Sequence, residues 1–592
     1  VDVRLASGGP VLPSRGVLRP VDPRRVRITG GFWAQRQAVN GIATIEHCRT
    51  WLDRLGWTGN FVTTGTGTVR RRGREFSDSE IYKHAEAMCW ESVRPGGTDY
   101  TEKLDELAAM IAGAQAADGY LHTAFGRPGQ PERYSDLNFG HELYCAGHLI
   151  QAGVAAARTG RAQELVRVAR GVADHVCDTF KDSPAVCGHP EIETALVELF
   201  RVTGEQRYLD QAARFVERRG HRSLPEHEFG WRYFQDAVPV RDGEAFAGHA
   251  VRALYLAAGA VDVAVETGDD ALLGAVVRQF DRTLARRTYI TGGMGSRHLD
   301  ESYGDDFVLP PDRAYSETCA GVATVMLAHR LLLATGDLRY GDIVDRVLHN
   351  VIATAVADDG RAFFYANTLH QRTPTEAVPP DREQLRFGGG PRAPWFEVSC
   401  CLNNVARLLA SLGTYLVTES DTGLQVHHYA PMTVDEDVTV DTEYPEGGSV
   451  VVTADRPVTL RVPAWAHGTT PSQEDGRTSL DLPMKPRWTF PDQRIDATRG
   501  CAAVEVGPVV MCAESVDQED GVTLDDIQVD TSVAPEATAV KGRLSRRVDS
   551  VWPYRSSTDS TESSDPIVVT LVPYHRWARR GPSTMRIWLP TT

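Results

Sequence analysis

The sequence predicts a multidomain, mainly α protein: an (α/α)6 toroid followed by one or two β-sandwich domains. Two observations carry this. Between about residues 30 and 420, apolar and small residues recur at three- and four-residue spacing, the period of buried helices. Beyond about residue 420 the period changes to alternation between Gly, Pro, Asp and Asn boundaries, the texture of strands. The length of 592 residues also exceeds the size at which one hydrophobic core stops growing, so several domains or a large closed ring are expected.

Taken in order, residues 1–24 form a proline-rich N-terminal segment that is expected to lend a strand to the sandwich. Residues 25–420 form the toroid. The stretches "DELAAMIAGAQ", "HELYCAGHLIQAGVAAARTG", "ETALVELFRVTG" and "GHAVRALYLAAGAVDVAVETG" are too apolar for an exposed bundle. Thr-Gly recurs at 159–160, 203–204, 267–268 and 335–336, each time closing an apolar helix. Gly there suits a left-handed cap, so a helix hairpin repeats. Its intervals of 44, 64 and 68 residues are too uneven for a consensus solenoid but suit helix pairs with insertions. With the earlier helices and "NNVARLLASLGTYLV", about six pairs result, enough to close a ring around one cavity. A linear helical solenoid, which more often binds protein, is the alternative. Residues 421–515 read as a β-sandwich, from "DVTVDTEY", "GSVVVTADRPVTLRVPAWA" and "CAAVEVGPVVMCAES". Residues 516–592 read as a second sandwich or C-terminal β region, loop-heavy between about 515 and 565.

A net charge of −16 and the lack of a Lys/Arg block argue against a nucleic-acid partner. No run approaches the 18 apolar residues of a membrane span, so no membrane partner is expected. The ten cysteines lack the dense spacing of a secreted disulfide scaffold. The opening "VDVRLASGG" has neither the charged start nor the apolar core of a signal peptide, and the cytoplasm is the expected compartment. The first residue is Val, which leaves a trimmed start open.

Chemistry-bearing side chains concentrate in "TGGMGSRHLDESYGDDFVLP" (291–310), "AYSETCAGVA" (314–323) and "VSCCLNN" (398–404). The vicinal pair Cys400-Cys401 makes a poor disulfide, because bridging neighbours strains the ring. On an extended backbone Glu317 and Cys319 point to the same side. With Cys400 and Cys401 they make one carboxylate and three thiols, a tetrahedral set for Zn2+ rather than for oxygen-seeking Mg2+ or Ca2+. The bland reading makes all three cysteines small core residues at helix starts.

"HELYCAGHLIQAG" (141–153), "GHPEIETALVELFRVTG" (188–204), "EAFAGHAVRALYLAAGAVDVA" (244–264), the 291–320 stretch, "SCCLNN" (399–404) and "VTLRVPAWA" (458–466) closely resemble, in order and approximate spacing, glycoside hydrolase family 127, the β-L-arabinofuranosidase family. The resemblance runs from about residue 25 to 470 and implies the same toroid-and-sandwich fold. It further implies a retaining exo-glycosidase for terminal β-L-arabinofuranosyl groups of a small oligosaccharide or glycoconjugate. Zinc would be held by Glu317, Cys319, Cys400 and Cys401, with Cys400 also the nucleophile. In "HLDESYG" it favours Glu301 as acid and base, with Asp300 second; local reading cannot choose among Glu301, Asp300, Asp305 and Asp306. His141, His189 and His249 would contact sugar hydroxyls, and Tyr365 in "FFYANTL" would line the cavity. A homodimer through the sandwich is consistent with the resemblance.

Two departures stand out. Leu402-Asn403 follow the cysteines where two prolines are common, and Thr368-Leu369-His370 replace a common Pro-Leu-Glu. Both are expected near the cavity and leave another branched or acidic deoxysugar open. An epimerase or lyase using the three histidines, and a sugar-binding protein with a structural zinc, are the competing readings.

Overall fold

Six helices form a closed inner wall: α1 (Ser77–Val93), α2 (Glu142–Thr159), α3 (Ile192–Thr203), α4 (Ala250–Thr267), α5 (Thr318–Thr335) and α6 (Cys401–Ala410), with α6 packed back onto α1. The computed structural model describes residues 8–63, 70–386, 391–546, 552, 554 and 562–592. Ring neighbours cover each inner helix on both flanks and an outer helix covers it behind, so these helices carry apolar or small residues nearly all round; every residue of α2 is buried. The outer layer is Thr101–Gly113, Gln163–Phe180, Gln206–Arg218, Asp270–Arg286, Arg339–Val347 and, behind α6, residues 31–54. These helices bury one face only. In Gln163–Phe180, Leu165, Val168, Val172 and Val176 point inward at helical spacing. The fold is the (α/α)6 toroid that the hairpin repeat predicts.

The Thr-Gly pairs end α2, α3, α4 and α5. Gly160, Gly204, Gly268 and Gly336 all adopt the left-handed conformation, with φ of 71–73°. The threonine has its own part: its hydroxyl donates to the carbonyl four residues back, at 2.8, 2.8, 2.7 and 2.7 Å, within the last turn where a helix runs out of partners. One expectation is corrected here. The helix Thr318–Thr335 is long and apolar enough by composition to cross a membrane, with mean hydropathy 1.4, yet 89% of it is buried inside the ring.

The chain's first strands join its later ones: Arg19–Pro20 pairs with Val417–Ser420, and Val26–Ile28 with Met432–Val434. They complete a four-stranded and a six-stranded sheet, the latter ending in the hairpin Ser472–Glu474 and Arg477–Asp481. A seven-stranded sheet follows, built on Pro486–Thr489, Cys501–Val506 and Val509–Glu514, and packs against a three-stranded sheet through Val504, Met511, Ile527, Val540 and Val569. The division expected between residues 515 and 516 therefore falls inside one sheet, because Val509–Glu514 pairs with Val572–Pro573 and Met585–Arg586. Alternation marks a strand but not the sheet it joins. The stretch expected to be loop-heavy contains the strands Ala539–Arg546 and Glu562–Thr570; residues 547–551, 553 and 555–561 lie outside the described residues.

Asp345, from the toroid, fastens the first sandwich. Its Oδ2 accepts from Tyr444 Oη at 2.6 Å and faces Arg461 Nη2 at 3.2 Å, while Oδ1 faces His349 Nδ1 at 3.1 Å. Burial opposes its ionisation, but His349, His428 and Arg461 hold its pKa well below the carboxylate range. Replacing Asp345 by Ala leaves Arg461 to Asp342 alone and removes the acceptor of the buried Tyr444 hydroxyl, and a loss of about 1–3 kcal/mol is expected in denaturant unfolding; a shift below about 0.5 kcal/mol would show that Asp342 suffices to hold Arg461. Because the folded pKa is depressed, this stabilisation is complete above the unfolded value of about 3.9 and is lost as pH falls below it. Asp345→Asn should flatten that acid limb.

Candidate active site

Each outer helix returns the chain to the same end of the ring, so the inner helices start together around a cavity of about 360 Å3. The residues at those starts are the chemistry-bearing ones. His141 caps α2, His249 caps α4, Glu317 caps α5 and Cys400 caps α6, while His189 lies just before Glu191, the cap of α3. Helix starts present unpaired amides and the positive end of the helix dipole, a setting that favours thiolates and carboxylates.

Four of these donors form one buried cluster. Cys319 Sγ lies 3.1 Å from Cys400 Sγ and 3.3 Å from Cys401 Sγ, the vicinal sulfurs are 3.8 Å apart, and Glu317 Oε1 is 3.3 Å from Cys400 and 3.9 Å from Cys401. None of the ten cysteines is bridged. Glu317 and Cys319 do not share an extended strand as the spacing suggested: Glu317 is extended, with ψ of 138°, but Cys319 lies in the first turn of α5. Hydrogen bonding with Cys319 raises the Cys400 thiol well above its ordinary value, and burial raises Cys401 and Glu317. Against burial, hydrogen bonds from Cys400 and Cys401 lower Cys319 to about 7. A tetrahedral ion with S donors at about 2.3 Å and an O donor at about 2.0 Å holds them about 3.5–3.8 Å apart. The observed spacings bracket that edge, and the buried Glu317 Oε2 has no hydrogen-bond partner. The four residues fit a borderline or soft divalent ion, whose charge resolves the crowding of four acidic groups.

Beside the cluster stands Glu301, with a left-handed backbone, φ 59°. Ala250 N donates to its carbonyl at 3.1 Å and Tyr303 N donates to Gly248 O at 2.9 Å, so its loop is stitched to the start of α4. This sets Glu301 Oε2 3.1 Å from His249 Nε2, and Oε1 faces Arg386 Nε at 3.2 Å. Burial opposes ionisation, yet the hydrogen bond and charge of His249, with Arg386, lower Glu301 to about 2. Of the four acids in that loop Glu301 lines the cavity. Asp300 accepts from Ser302 N within its own turn, Asp305 is exposed beside Arg297, and Asp306 is held by Arg282, Arg286 and Arg287.

The three histidines form a row, with ring centroids 5.9 Å apart from His141 to His189 and again from His189 to His249. Burial, then the Arg252 charge, lowers His141 to about 3 and His189 well below its ordinary range; burial also lowers His249. Neutral imidazoles can both donate to and accept from hydroxyl groups. Tyr365 is tied to the start of α5, its carbonyl accepting from Thr318 N at 2.9 Å, and its Oη is 3.2 Å from Cys400 Sγ.

Sequence reasoning missed several neighbours. Tyr144 packs on His189 at 4.2 Å, and Arg386 comes from a loop with no periodicity to mark it. Asn404 Nδ2 donates to Cys319 Sγ at 3.2 Å, and its Oδ1 accepts from Arg407 Nε at 2.8 Å. Asn404 lay within the "SCCLNN" motif, but which sulfur it meets depends on α5. Of the two departures expected near the cavity, only one is close to the cluster: Asn403 donates to Glu80 Oε2 at 3.1 Å, and Glu80 pairs with the buried Lys83 at 2.5 Å. His370 instead sits in a strand paired with Met585–Arg586, its ring facing Asp525.

Residues 25–414 match the family description "Beta-L-arabinofuranosidase, GH127 catalytic domain", and residues 486–590 match "Glycoside hydrolase family 127 C-terminal domain". A non-reducing end β-L-arabinofuranosidase of Bifidobacterium longum subsp. longum is 31% identical over 87% of this chain and 89% of its own. The solved structure of a GH127 β-L-arabinofuranosidase from Geobacillus stearothermophilus T6 is 28% identical with a TM-score of 0.86, covering 96% of this chain and 100% of that one. Another solved GH127 β-arabinofuranosidase is 28% identical with a TM-score of 0.85, covering 98% of both chains.

Removing the amide that orients Cys319 should weaken the cluster's hold on a metal. Asn404→Leu is expected to lower the affinity for Cd2+, titrated through sulfur-to-metal absorption, by about 10–100-fold. A change below about threefold would mean that Asn404 serves packing alone.

Proposed function

The chain belongs to glycoside hydrolase family 127, and from that membership we propose that it releases terminal β-L-arabinofuranosyl groups from small oligosaccharides or glycoconjugates, with retention, through the sulfur of Cys400. The observation that carries this reading is the unequal burial of the vicinal thiols. Cys400 lines the cavity, whereas Cys401 is fully buried behind it. Cys319 also borders the cavity but is 1% exposed, so of the three sulfurs Cys400 is the part-exposed one, within reach of a sugar, while its vicinal neighbour can only be a ligand.

Glu317, Cys319, Cys400 and Cys401 would hold zinc, which supplies the positive charge that keeps a thiol deprotonated at neutral pH. His141, His189 and His249 orient the furanose hydroxyls. Glu301 delivers a proton to the leaving oxygen as the Cys400 sulfur bonds to the anomeric carbon and the glycosidic C–O bond breaks. In the second half the Glu301 carboxylate takes a proton from water, whose oxygen displaces the sulfur and restores the thiolate. The sugar-free cavity holds Glu301 ionised, the form the second half needs. For the first half it must gain a proton, and His249 Nε2, 3.1 Å away, is the neighbour positioned to relay one. Tyr365 Oη, 3.2 Å from Cys400, can donate to the sulfur when it leaves.

Four protein donors also suit a closed structural ion, and a sugar-binding protein would keep the same cluster without using its thiolate. Intact mass after incubation with a β-L-arabinofuranose-configured cyclophellitol, with peptide mapping and metal assay on the same sample, separates the two. A single adduct on Cys400 is expected; a fully zinc-loaded chain without adduct would sink the nucleophile assignment. Cys400→Ser should lose turnover and bind zinc more weakly, and Cys401→Ser should lose turnover through the metal. Glu301→Gln should keep zinc at the thiolates and lose about 10²–10⁴-fold in turnover.

A further inference from the structure

We propose that the cavity contains a second divalent-cation site, formed by His249, Glu301 and Glu317, and that zinc in excess of one equivalent occupies it and stops hydrolysis. This rests on the reading of Glu317 as a ligand to zinc at the thiolates and extends it to a bridging role. One donor atom from each of the three residues lies within 4.8 Å of the other two; the His249 and Glu301 side chains are 9% and 10% exposed, and Glu317 is buried. His249 Nε2 and Glu301 Oε2 are 3.1 Å apart, close to the edge of about 3.3 Å between N and O donors held at about 2.0–2.1 Å by a tetrahedral ion.

Glu317 supplies the join. Its Oε1 faces the sulfurs, at 3.3 Å from Cys400, while its buried Oε2 meets no N–H or O–H donor and its carboxyl neighbour is Glu301. A carboxylate in that situation can give one oxygen to each of two ions, the arrangement of paired-metal sites with ions about 3.5–4 Å apart. The donor types differ between the two seats, three sulfurs and an oxygen in one and imidazole nitrogen with carboxylate oxygen in the other; zinc accepts both sets.

Charge favours a second cation. Three thiolates and two carboxylates carry five negative charges; one divalent ion and Arg386 return three, and Lys83, which also acts on Cys319 and Cys400, is already paired with Glu80, so negative charge stays in excess in a buried volume. Arg386, 3.2 Å from Glu301, is the group that opposes it. The backbone bond from Ala250 N to Glu301 O, 3.1 Å, fixes His249 and Glu301 before any ion arrives, so little ordering is required. All three residues line the cavity. An ion there engages the Glu301 oxygen and the His249 nitrogen that handle the proton, so filling the seat removes the acid and base.

The test is equilibrium dialysis of the full chain against buffers of fixed free Zn2+, with bound metal counted per chain and hydrolysis assayed at each point. Two equivalents are expected, with turnover falling about a hundredfold as the second binds and returning when free zinc is buffered down. Glu301→Gln and His249→Ala should each keep the first equivalent and lose the second. Arg386→Gln should bind the second about tenfold more tightly, as removal of a neighbouring cation requires, an effect that disturbed folding would not produce. A wild-type chain that stops at one equivalent overturns this proposal and leaves the thiolate centre standing. A second equivalent that survives both Glu301→Gln and His249→Ala overturns it as well. A chain that binds no zinc overturns both readings.

Discussion

Five acidic groups, the thiols of Cys319, Cys400 and Cys401 and the carboxyls of Glu301 and Glu317, are crowded into one buried volume, and the rest of the ring's reactive end is arranged around that crowding. Burying like charges together is costly unless positive charge or shared protons offset it. The structure provides several offsets at once. The positive ends of α5 and α6 face the cluster, Arg386 and His249 hold Glu301, and Lys83 lies among the charges that act on Cys319 and Cys400. What remains unmatched is negative charge that a metal ion held by the cluster would offset.

Holding such a cluster to a fixed geometry requires rigid support, and the interior of the toroid is built for it. Below the cavity, Arg407 joins Glu86 at 3.0 Å and Asn404 at 2.8 Å, and so passes its position on to Cys319. Farther along the inner wall, Arg330 pairs with Asp262 at 2.7 Å, and Arg201 joins both Asp262, at 2.9 Å, and Glu198, at 2.5 Å. Each pair must stay complete, since removing one member leaves a buried charge. The apolar surfaces of the inner helices determine that a ring forms. The polar networks specify how those helices are set against one another, because a slip of one turn would break several pairs together.

The sandwich contributes by clamping the outer surface. The N-terminal strands, the Asp345 cluster with Tyr444 and Arg461, and the strand His370–Gln371 paired with Met585–Arg586 hold the toroid at separate points. The segment from His370 to Cys400 thus runs between an anchored strand and the start of α6, and it delivers Arg386 to the cavity on the way.

Much of this was legible in the sequence, because helix period, strand period and capping chemistry are local. Thr-Gly announced the ends of α2 through α5 since both residues act within one turn, the threonine on its own helix and the glycine through its freedom at positive φ. Most residues of the site were legible as short motifs for the same reason: the three histidines, Glu317 and the cysteines sit at or just before helix starts, where sequence and backbone change together, whereas Glu301 and Tyr365 lie in loops. What a motif leaves open is direction. Glu301 could not be told from Asp300 until the backbone pairing with α4 turned one carboxylate toward His249 and left the other in its own turn. The sheet that a strand joins, the arrival of Arg386 beside Glu301, and the unequal burial of Cys400 and Cys401 each depend on elements tens or hundreds of residues away. Local chemistry determined which groups the protein would use; only the closure of the ring, which brings distant helix starts within a few ångströms, decided which of them meet.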